Sequence, residues 1–356
     1  MLASARAFAD PAAEVNRYRA AAGLPEVKVD ARLSAGCAKH ADYLRRNFGS
    51  PAIAGLAAHR EQAELPGATR DGADCGKNAD LFVGVADLDK AVDGFMAGIY
   101  HRRPVLDPGL AVIGIGTAKL PDGNFVLAIR LSAGTGGASA WPVAYPADHQ
   151  HDVPREYGNE IPNPVPGGGA AGYPITLQFP PFDRVTNVRA SLVDARGRAL
   201  AIHLSDPEHP ATSFPQSGVV SVIPRQRLAP ATTYTVAIDA TWKGKRGSWK
   251  WSFTTLALHQ LDAGDRAAIR AALGVPSLVR GTVTHAGTIA GATFLQLGKG
   301  EPMLSVIVPT AVWKQVGGAP SAYEGKTVEV DATPQLVDGK YLNLPIATRQ
   351  QLRLVR

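Results

Sequence analysis

The chain has 356 residues, of which 45% are hydrophobic and 19% are charged. One ordinary hydrophobic core does not hold so many residues, and the composition excludes a disordered chain, so two or three folded domains are expected. The net charge of +6 is spread as an excess of +1 over residues 1–140, +2 over 141–256 and +3 over 257–356. Because no lysines and arginines cluster in the way a nucleic-acid binder requires, no nucleic-acid partner is predicted.

The first 140 residues combine signals for helices and strands. Asp10-Pro11 is a typical helix start, and further helices are predicted after Asp30 and Asp87, each followed by apolar residues at helical spacing. Two strands over 110–116 and 124–131 flank a Pro-Asp-Gly turn. Helices followed by a hairpin predict a layered α+β domain over residues 8–132.

The rest of the chain is dominated by strand signals. Residues 132–140 contain only small residues and predict a linker. Short strands with turn residues between them predict a β-sandwich over 141–256, interrupted by a surface insertion rich in Pro and Gly at 158–172. After a short helix over 262–273, five strands with one helix at 310–315 predict a small barrel of the OB type over 275–356. The fold class is therefore α+β with several domains.

Two features bear on the compartment. No run of 18 apolar residues exists, so no transmembrane segment is predicted. Residues 1–8 lack the apolar stretch of a signal peptide, which leaves a cytosolic protein or one whose signal has been removed. Cys37 and Cys75 could form one disulfide closing a loop of 38 residues, or remain two buried thiols. The bridge is the prediction for an exported protein.

Two stretches of the first segment resemble the CAP superfamily in its bacterial SCP-like branch: VNRYRAAAGLPEVKVDARLSAGCAKHADYLRRN at 15–47 and AVDGFMAGIYHRRPVLDPGLAVIGIG at 91–116. The resemblance implies an α-β-α sandwich and a protein secreted, periplasmic or on the cell surface, with its signal peptide already removed. Residues 143–157, 223–244 and 249–255 resemble bacterial Ig-like domains, and residues 275–356 resemble OB folds more loosely.

The CAP resemblance also implies a cleft, which in some members holds a divalent cation between two histidines and two glutamates. His101 matches one histidine and His59 is the best match for the other, while the Gly-Glu-Asn motif of the family reads Gly76-Lys77-Asn78 here. No glutamate lies over 88–100, and Asp89 and Asp93 are the candidates to substitute for it. An ammonium in place of a carboxylate repels a cation, so no metal is predicted, and Lys77 with Arg102 nearby would favour an anion.

The functional prediction is a binding cleft formed by His59, Lys77, Asn78, His101 and Arg102, with no catalytic residue and no cofactor. No P-loop, Rossmann fingerprint, Gly-x-Ser-x-Gly elbow or reactive Cys–His pair is present. The predicted ligand is a lipid, glycan or peptide of the cell envelope. The alternative is a hydrolase of peptides or cell-wall polymers that uses His59 and His101.

Overall fold

A computed structural model describes residues 10–133 and 141–355. Outside the described residues lie residues 1–8, in which no signal peptide is predicted, and residues 134–140, which make up most of the predicted linker. The chain divides into two compact units, the first ending at Leu256 and the second beginning at Ala257. Both of the first two predicted domains therefore fall within one unit.

Residues 10–133 form a four-stranded sheet with order β1-β3-β4-β2, in which only β1 and β3 pair in parallel. Its strands are β1 Lys28–Val29, β2 Ala79–Val85, β3 Leu110–Lys119 and β4 Phe125–Ala133. The helices are α1 Pro11–Ala21, α2 Ala31–Arg46, α3 Arg70–Lys77, α4 Leu88–Met96 and α5 Arg102–Val105, with short 3-10 turns at Pro51–Ile53 and Gly55–His59.

The predicted helix starts of α1 and α2 are present as side-chain caps. The Asp10 carboxylate accepts a hydrogen bond from the amide of Ala12 at 3.0 Å, and Pro11 occupies the first turn. The Asp30 carboxylate accepts from the amide of Leu33 at 2.8 Å. Each cap satisfies an amide that the first helical turn leaves without a partner, which fixes where the helix begins.

Helix α2 packs closely on β3 because of two glycines in that strand. A Cβ at Gly116 would lie 2.1 Å from the carbonyl carbon of Cys37, and one at Gly114 would lie 2.5 Å from the Cβ of Leu33. The alternation of isoleucine and glycine over 113–116 therefore gives the helix a flat surface to rest on. A disulfide joins Cys37 of α2 to Cys75 of α3, as predicted.

Residues 141–256 form two four-stranded sheets, with orders β5-β7-β10-β9 and β6-β12-β11-β8. Their strands are β5 Val143–Tyr145, β6 Gln150–Val153, β7 Ile175–Gln178, β8 Val185–Asp194, β9 Ile202–Ser205, β10 Val219–Pro224, β11 Thr233–Trp242 and β12 Lys245–Thr255. Buried side chains of both sheets join those of α1 and α4 in one hydrophobic cluster. The two segments of the first unit thus share a core.

The second unit is one sheet with the strand order β18-β19-β16-β15-β14-β17-β20, in which β13 also pairs with β14. Its elements are β13 His259–Asp262, α6 Arg266–Ala271, β14 Ser277–Ile289, β15 Ala292–Leu297, β16 Leu304–Pro309, α7 Thr310–Val316, β17 Thr327–Ala332, β18 Gln335–Val337, β19 Tyr341–Pro345 and β20 Leu352–Leu354. Short 3-10 turns lie at Pro320–Tyr323 and Arg349–Gln351.

The mixed α/β architecture with several separate sheets agrees with the predicted multi-domain class. The finer assignments to Ig-like and OB-like families remain predictions. Across residues 10–133 and 141–355, no helix has the length and apolar character needed to cross a membrane.

The predicted insertion at 158–172 differs from the expectation of a surface segment. Residues 166–170 are exposed, but Glu160, Val165 and Ala171 are buried. Val165 and Ala171 pack with Ile99, which follows α4. The segment therefore covers part of the amino-terminal sheet-and-helix layer and brings a carboxylate to it.

Candidate functional site

A cavity of about 470 Å³ lies where α3, β2 and the turn after α4 meet residues 141–256, which we call the second segment of the first unit. We call it the histidine cavity; the residues that line it are Leu56, His59, Arg60, Lys77, Asn78, Ala79, Asp80, Ile99, Tyr100, His101, Arg103, Pro104, Leu131, Ile161, Pro162, Phe214, Pro215, Gln216 and Val219. Four of the five predicted cleft residues are among them. The structure thus brings His59, Lys77, Asn78 and His101 together.

Each of the two histidines makes a hydrogen-bond contact through its Nδ1 atom. Nδ1 of His59, at the end of the 3-10 turn, lies 3.0 Å from the carbonyl oxygen of Gly76 in α3. Nδ1 of His101, just before α5, lies 2.9 Å from a carboxylate oxygen of Glu160. When Nδ1 donates in these contacts, Nε2 of each neutral ring is left as an acceptor.

Glu160 organises the turn that carries His101. Its side chain is 3% exposed and accepts hydrogen bonds from the amides of Ile99 at 2.5 Å, Tyr100 at 2.9 Å and His101 at 3.3 Å. A carboxylate so deeply buried is tolerated because several donors satisfy it. The close fit requires glycine at position 98, where a Cβ would lie 2.4 Å from a Glu160 oxygen.

His101 is favoured in its charged form. Desolvation by burial lowers its pKa, but the hydrogen bond to Glu160 and the negative charges of Asp80 and Glu160 outweigh that effect and raise the pKa above the ordinary value. For His59 the balance is opposite: burial lowers the pKa, only the Gly76 carbonyl raises it, and the charges of His101 and His40 lower it further. One histidine is thus favoured as imidazolium and the other as neutral imidazole.

Asp80 provides a third ionisable group. It lies on β2, 8% exposed, and its Oδ2 makes no hydrogen bond to any residue that the structure describes. Burial raises the pKa of Asp80 to about 7; the charge of His101 lowers it and that of Glu160 raises it. A fraction of Asp80 is therefore neutral near physiological pH.

Three cationic side chains line the histidine cavity: Arg60, Lys77 and Arg103. Lys77 is exposed at the end of α3. Arg103 is partly buried, and its Nε donates to the carbonyl of Ser217 at 3.2 Å. Asn78 donates through Nδ2 to the carbonyl of Asp74 at 2.8 Å, and it caps the carboxyl end of α3.

A second cavity of about 300 Å³ shares Leu56, His59, His101 and Ile161 with the histidine cavity and extends it toward Phe82 and Phe95. Phe95 stacks on the His101 ring with centroids 5.4 Å apart. Ile161 is 60% exposed and Phe214 41% exposed. The walls around the two histidines therefore offer apolar surface as well as positive charge.

Residues 12–130 match the family model described as the cysteine-rich secretory protein family, CAP. Residues 12–130 are a CAP domain. No curated protein matches the chain.

Among solved structures, the chain is similar to CopC from Methylosinus trichosporium OB3b, with 15% identity and a TM-score of 0.22 over 33% of this chain and 95% of that one. It is also similar to a family 123 glycoside hydrolase from Clostridium perfringens, with 15% identity and a TM-score of 0.16 over 33% of this chain and 26% of that one.

Arg102 of the CAP domain lies elsewhere than expected. It is 1% exposed and lies outside the lining of the histidine cavity. Its guanidinium donates to the carbonyls of Met96 at 2.8 Å and Pro174 at 2.6 Å, and it lies over the rings of Tyr145 and Tyr173. Arg102 therefore joins the CAP domain to the second segment, and its neighbour Arg103 reaches the cavity.

The acidic partner proposed for the hydrolase alternative also lies elsewhere. Asp93 of the CAP domain accepts hydrogen bonds from Tyr18 at 2.7 Å and Arg17 at 3.1 Å, against α1. The side chain of Asp89 lies outside the described part of the chain. The carboxylates beside His101 are Asp80 and Glu160. Neither of them was predicted from the sequence as a residue of the cleft.

The described residues contain no group of three or more His, Cys, Asp or Glu side chains placed to hold a metal ion. The arrangement can instead do two things chemically. It can attract an anion to the cationic side chains and the His101 imidazolium, and it can move a proton at the two histidines or Asp80.

Proposed function

We propose that the chain is an exported, non-enzymatic binding protein whose histidine cavity takes an amphipathic anion of the cell envelope, either a lipid or a peptide with an anionic group. One observation carries the proposal: Arg60, Lys77 and Arg103 line the same cavity as the exposed apolar side chains of Ile161 and Phe214. The positive charge alone would attract any anion. The exposed apolar side chains favour an anion that also has an apolar part.

The electrostatics support an anion rather than a cation. Glu160 is occupied by His101 and three amides, so its charge is largely compensated. Asp80 is partly neutral near pH 7 because burial raises its pKa to about 7. The remaining charged groups on the lining are cationic, which favours phosphate or carboxylate.

The apolar wall supports a lipid or peptide over a glycan. Leu56 and Phe214 are 46% and 41% exposed, and Ile161 lies between the two cavities. Covering such side chains contributes roughly 25 cal/mol for each Å² removed from water. The disulfide supports export, because such bonds persist in oxidising compartments.

The test is calorimetric titration with dodecyl phosphate below its micellar concentration, with dodecyltrimethylammonium as the cationic counterpart. We expect the phosphate to bind, the ammonium not to bind, and Lys77→Ala to weaken phosphate binding roughly tenfold. Lys119→Ala is the matched control, since Lys119 is an exposed lysine of the CAP domain away from the cavity. Equal binding of both amphiphiles, or indifference to Lys77→Ala, would contradict the proposal.

The pH dependence gives a second readout. Acidification protonates His101, whose pKa is raised, and neutralises Asp80 as pH falls through about 7. Both changes make the cavity more positive, so dodecyl sulfate, whose own charge is constant over this range, should bind more tightly at pH 5.5 than at pH 8. Weaker binding at pH 5.5 would exclude this cavity as the anion site.

A hydrolase is the second candidate, because the His101–Glu160 pair orients an imidazolium as a general acid requires. That candidate predicts turnover of a peptide or cell-wall fragment that falls at least a hundredfold in His101→Ala. Turnover that is indifferent to this substitution removes it.

A further inference from the structure

The second segment of the first unit carries a separate cavity of about 880 Å³, open to solvent. We call it the arginine groove; the residues that line it are Asp194, Ala195, Arg196, Arg198, Ala199, Leu200, Ala201, Arg225, Gln226, Arg227, Ala229, Ala231, Thr232, Thr233 and Tyr234. Four of them are arginines and only one is acidic. The groove shares no lining residue with the histidine cavity.

Two of the four arginines are held by carboxylates. Arg198 lies 2.6 Å from Asp194 across the turn between β8 and β9. Arg227 lies 3.1 Å from Glu156, and its side chain is only 10% exposed. These pairs hold two guanidinium groups in place at the groove and balance their charge.

The other two arginines have no acidic partner within the described residues. Arg196 is exposed at the tip of the β8–β9 turn. Arg225 is also exposed, and its Nε donates to the carbonyl of Ile202 at 3.2 Å, which fixes the side chain while its terminal nitrogens remain donors. The groove therefore keeps two uncompensated positive charges.

The positive charge of the groove also affects the pKa of a neighbouring histidine. Burial lowers the pKa of His203, and the charge of Arg225 lowers it further. The positive potential of the groove thus extends to the adjacent strand β9.

We infer that the arginine groove binds a linear polymer with closely spaced phosphate groups. Guanidinium groups match the oxygens of phosphate in pairs, and several of them along one groove reward a ligand that offers several anions. Four guanidinium groups line the groove, which suits a ligand with several anionic groups better than a single phosphate. This inference is independent of the function proposed for the histidine cavity.

A polymer in solution is favoured over a lipid surface. Of the exposed large hydrophobic side chains in the described residues, none lines the arginine groove. Peripheral membrane binding needs exposed apolar side chains beside the positive charge, and the large apolar residues of the groove, Leu200 and Tyr234, are partly or fully buried.

The test is titration of the whole chain with inorganic polyphosphate of about fifteen phosphates at several salt concentrations. We expect binding that weakens steeply with salt, by a log–log slope of roughly 2 to 4 if each arginine contact contributes about 0.7 to 0.9. The double variant Arg196→Ala with Arg225→Ala should weaken binding at least thirtyfold and reduce the slope by about 1.5. Both positions are exposed, so the variant should fold, which its unfolding curve will verify.

The matched control is Arg189→Ala with Arg246→Ala, two exposed arginines that line another cavity of the same segment together with Asp239. This control pair should leave polyphosphate binding unchanged. Absence of binding, equal loss in the control pair, or binding to anionic phospholipid vesicles but not to polyphosphate would overturn the inference.

Discussion

His101 and Glu160 meet 2.9 Å apart although 59 positions separate them along the chain. The carboxylate of Glu160 lies under the turn after α4 and receives three backbone amides in addition to the imidazole. At the residue scale, this one side chain determines both the orientation and the charge of the histidine that faces the cavity.

Glu160→Gln should lower the pKa of His101, because the amide keeps the shape of the side chain but removes the charge that favours imidazolium. NMR titration of the imidazole protons measures the change. An unchanged pKa for His101 would mean that Glu160 does not set its charge.

Asp80 should make the protein less stable as pH rises. Its pKa is higher in the folded protein, at about 7, than the ordinary value of 3.8, so the folded state binds the proton more tightly. That stabilisation is complete below pH 3.8 and is lost as pH rises through about 7. His101 acts in the same direction, since its pKa is also raised.

We expect the free energy of unfolding to fall by up to about 4 kcal/mol between pH 4 and pH 8, and to fall less in Asp80→Asn. Denaturant unfolding at each pH measures this. Glu26→Gln, at an exposed carboxylate, is the control and should reproduce the wild-type curve. A free energy of unfolding that rises from pH 4 to pH 8 in the wild type but not in Asp80→Asn would contradict the prediction. It would show that Asp80 is charged in the folded protein over this whole range.

Whether a residue of the site could be predicted from the sequence depends on whether a motif close to it in the chain indicates its role. His59, Lys77, Asn78 and His101 were found because each lies in or beside a family-like motif. Glu160 lies in a Pro/Gly-rich stretch that reads as exposed loop, and nothing local indicates that its carboxylate is buried against α4. Arg102 was assigned to the cleft by position in the motif, whereas Arg103 reaches the cavity.

At the scale of elements, helix starts and turns were predictable and the connections between them were not. The caps Asp10 and Asp30 act on amides two and three residues away, so the chain itself carries the information. Helix α3 also begins at a cap, Thr69, which accepts from the amide of Gly72 at 3.0 Å. Its disulfide to α2 and the pairing of β2 with β4 are instead contacts made far along the chain.

The packing of α2 on β3 gives the prediction at this scale. Gly116→Ala should lower the free energy of unfolding by about 3 kcal/mol, because the new methyl group would meet the backbone of α2 at Cys37 and the helix would have to move. Thr117→Ala, at the next and exposed position of β3, should change it by less than about 0.5 kcal/mol. Chemical denaturation compares the two, and similar effects would refute a close helix–strand contact.

At the scale of the whole molecule, the first unit is built from two segments that share one core. Arg102 is their buried connection, donating to Met96 in the CAP domain and to Pro174 beyond it. Sequence patterns separated these segments at a small-residue stretch, because local composition does not reveal which surfaces pack together.

Arg102→Ala should therefore destabilise both segments together, by about 3 kcal/mol, since it leaves buried carbonyls without a donor. Calorimetry should show one transition for the first unit that shifts to lower temperature as a whole. Arg32→Ala, at an exposed arginine of α2, should leave it in place. Two separate transitions, only one of which shifts, would show that the segments fold independently.

The stretch 158–172 supplies Glu160, Ile161 and Pro162 to surfaces around the two histidines, yet it belongs to no helix or strand of the CAP domain. Insertions and deletions are tolerated more readily in such loops than in the elements they cover. On the proposed function, ligand preference can therefore diverge through changes in loop length alone, while every side chain of the CAP domain beneath stays the same. A chimera that exchanges only this loop would transfer selectivity between two otherwise unaltered scaffolds.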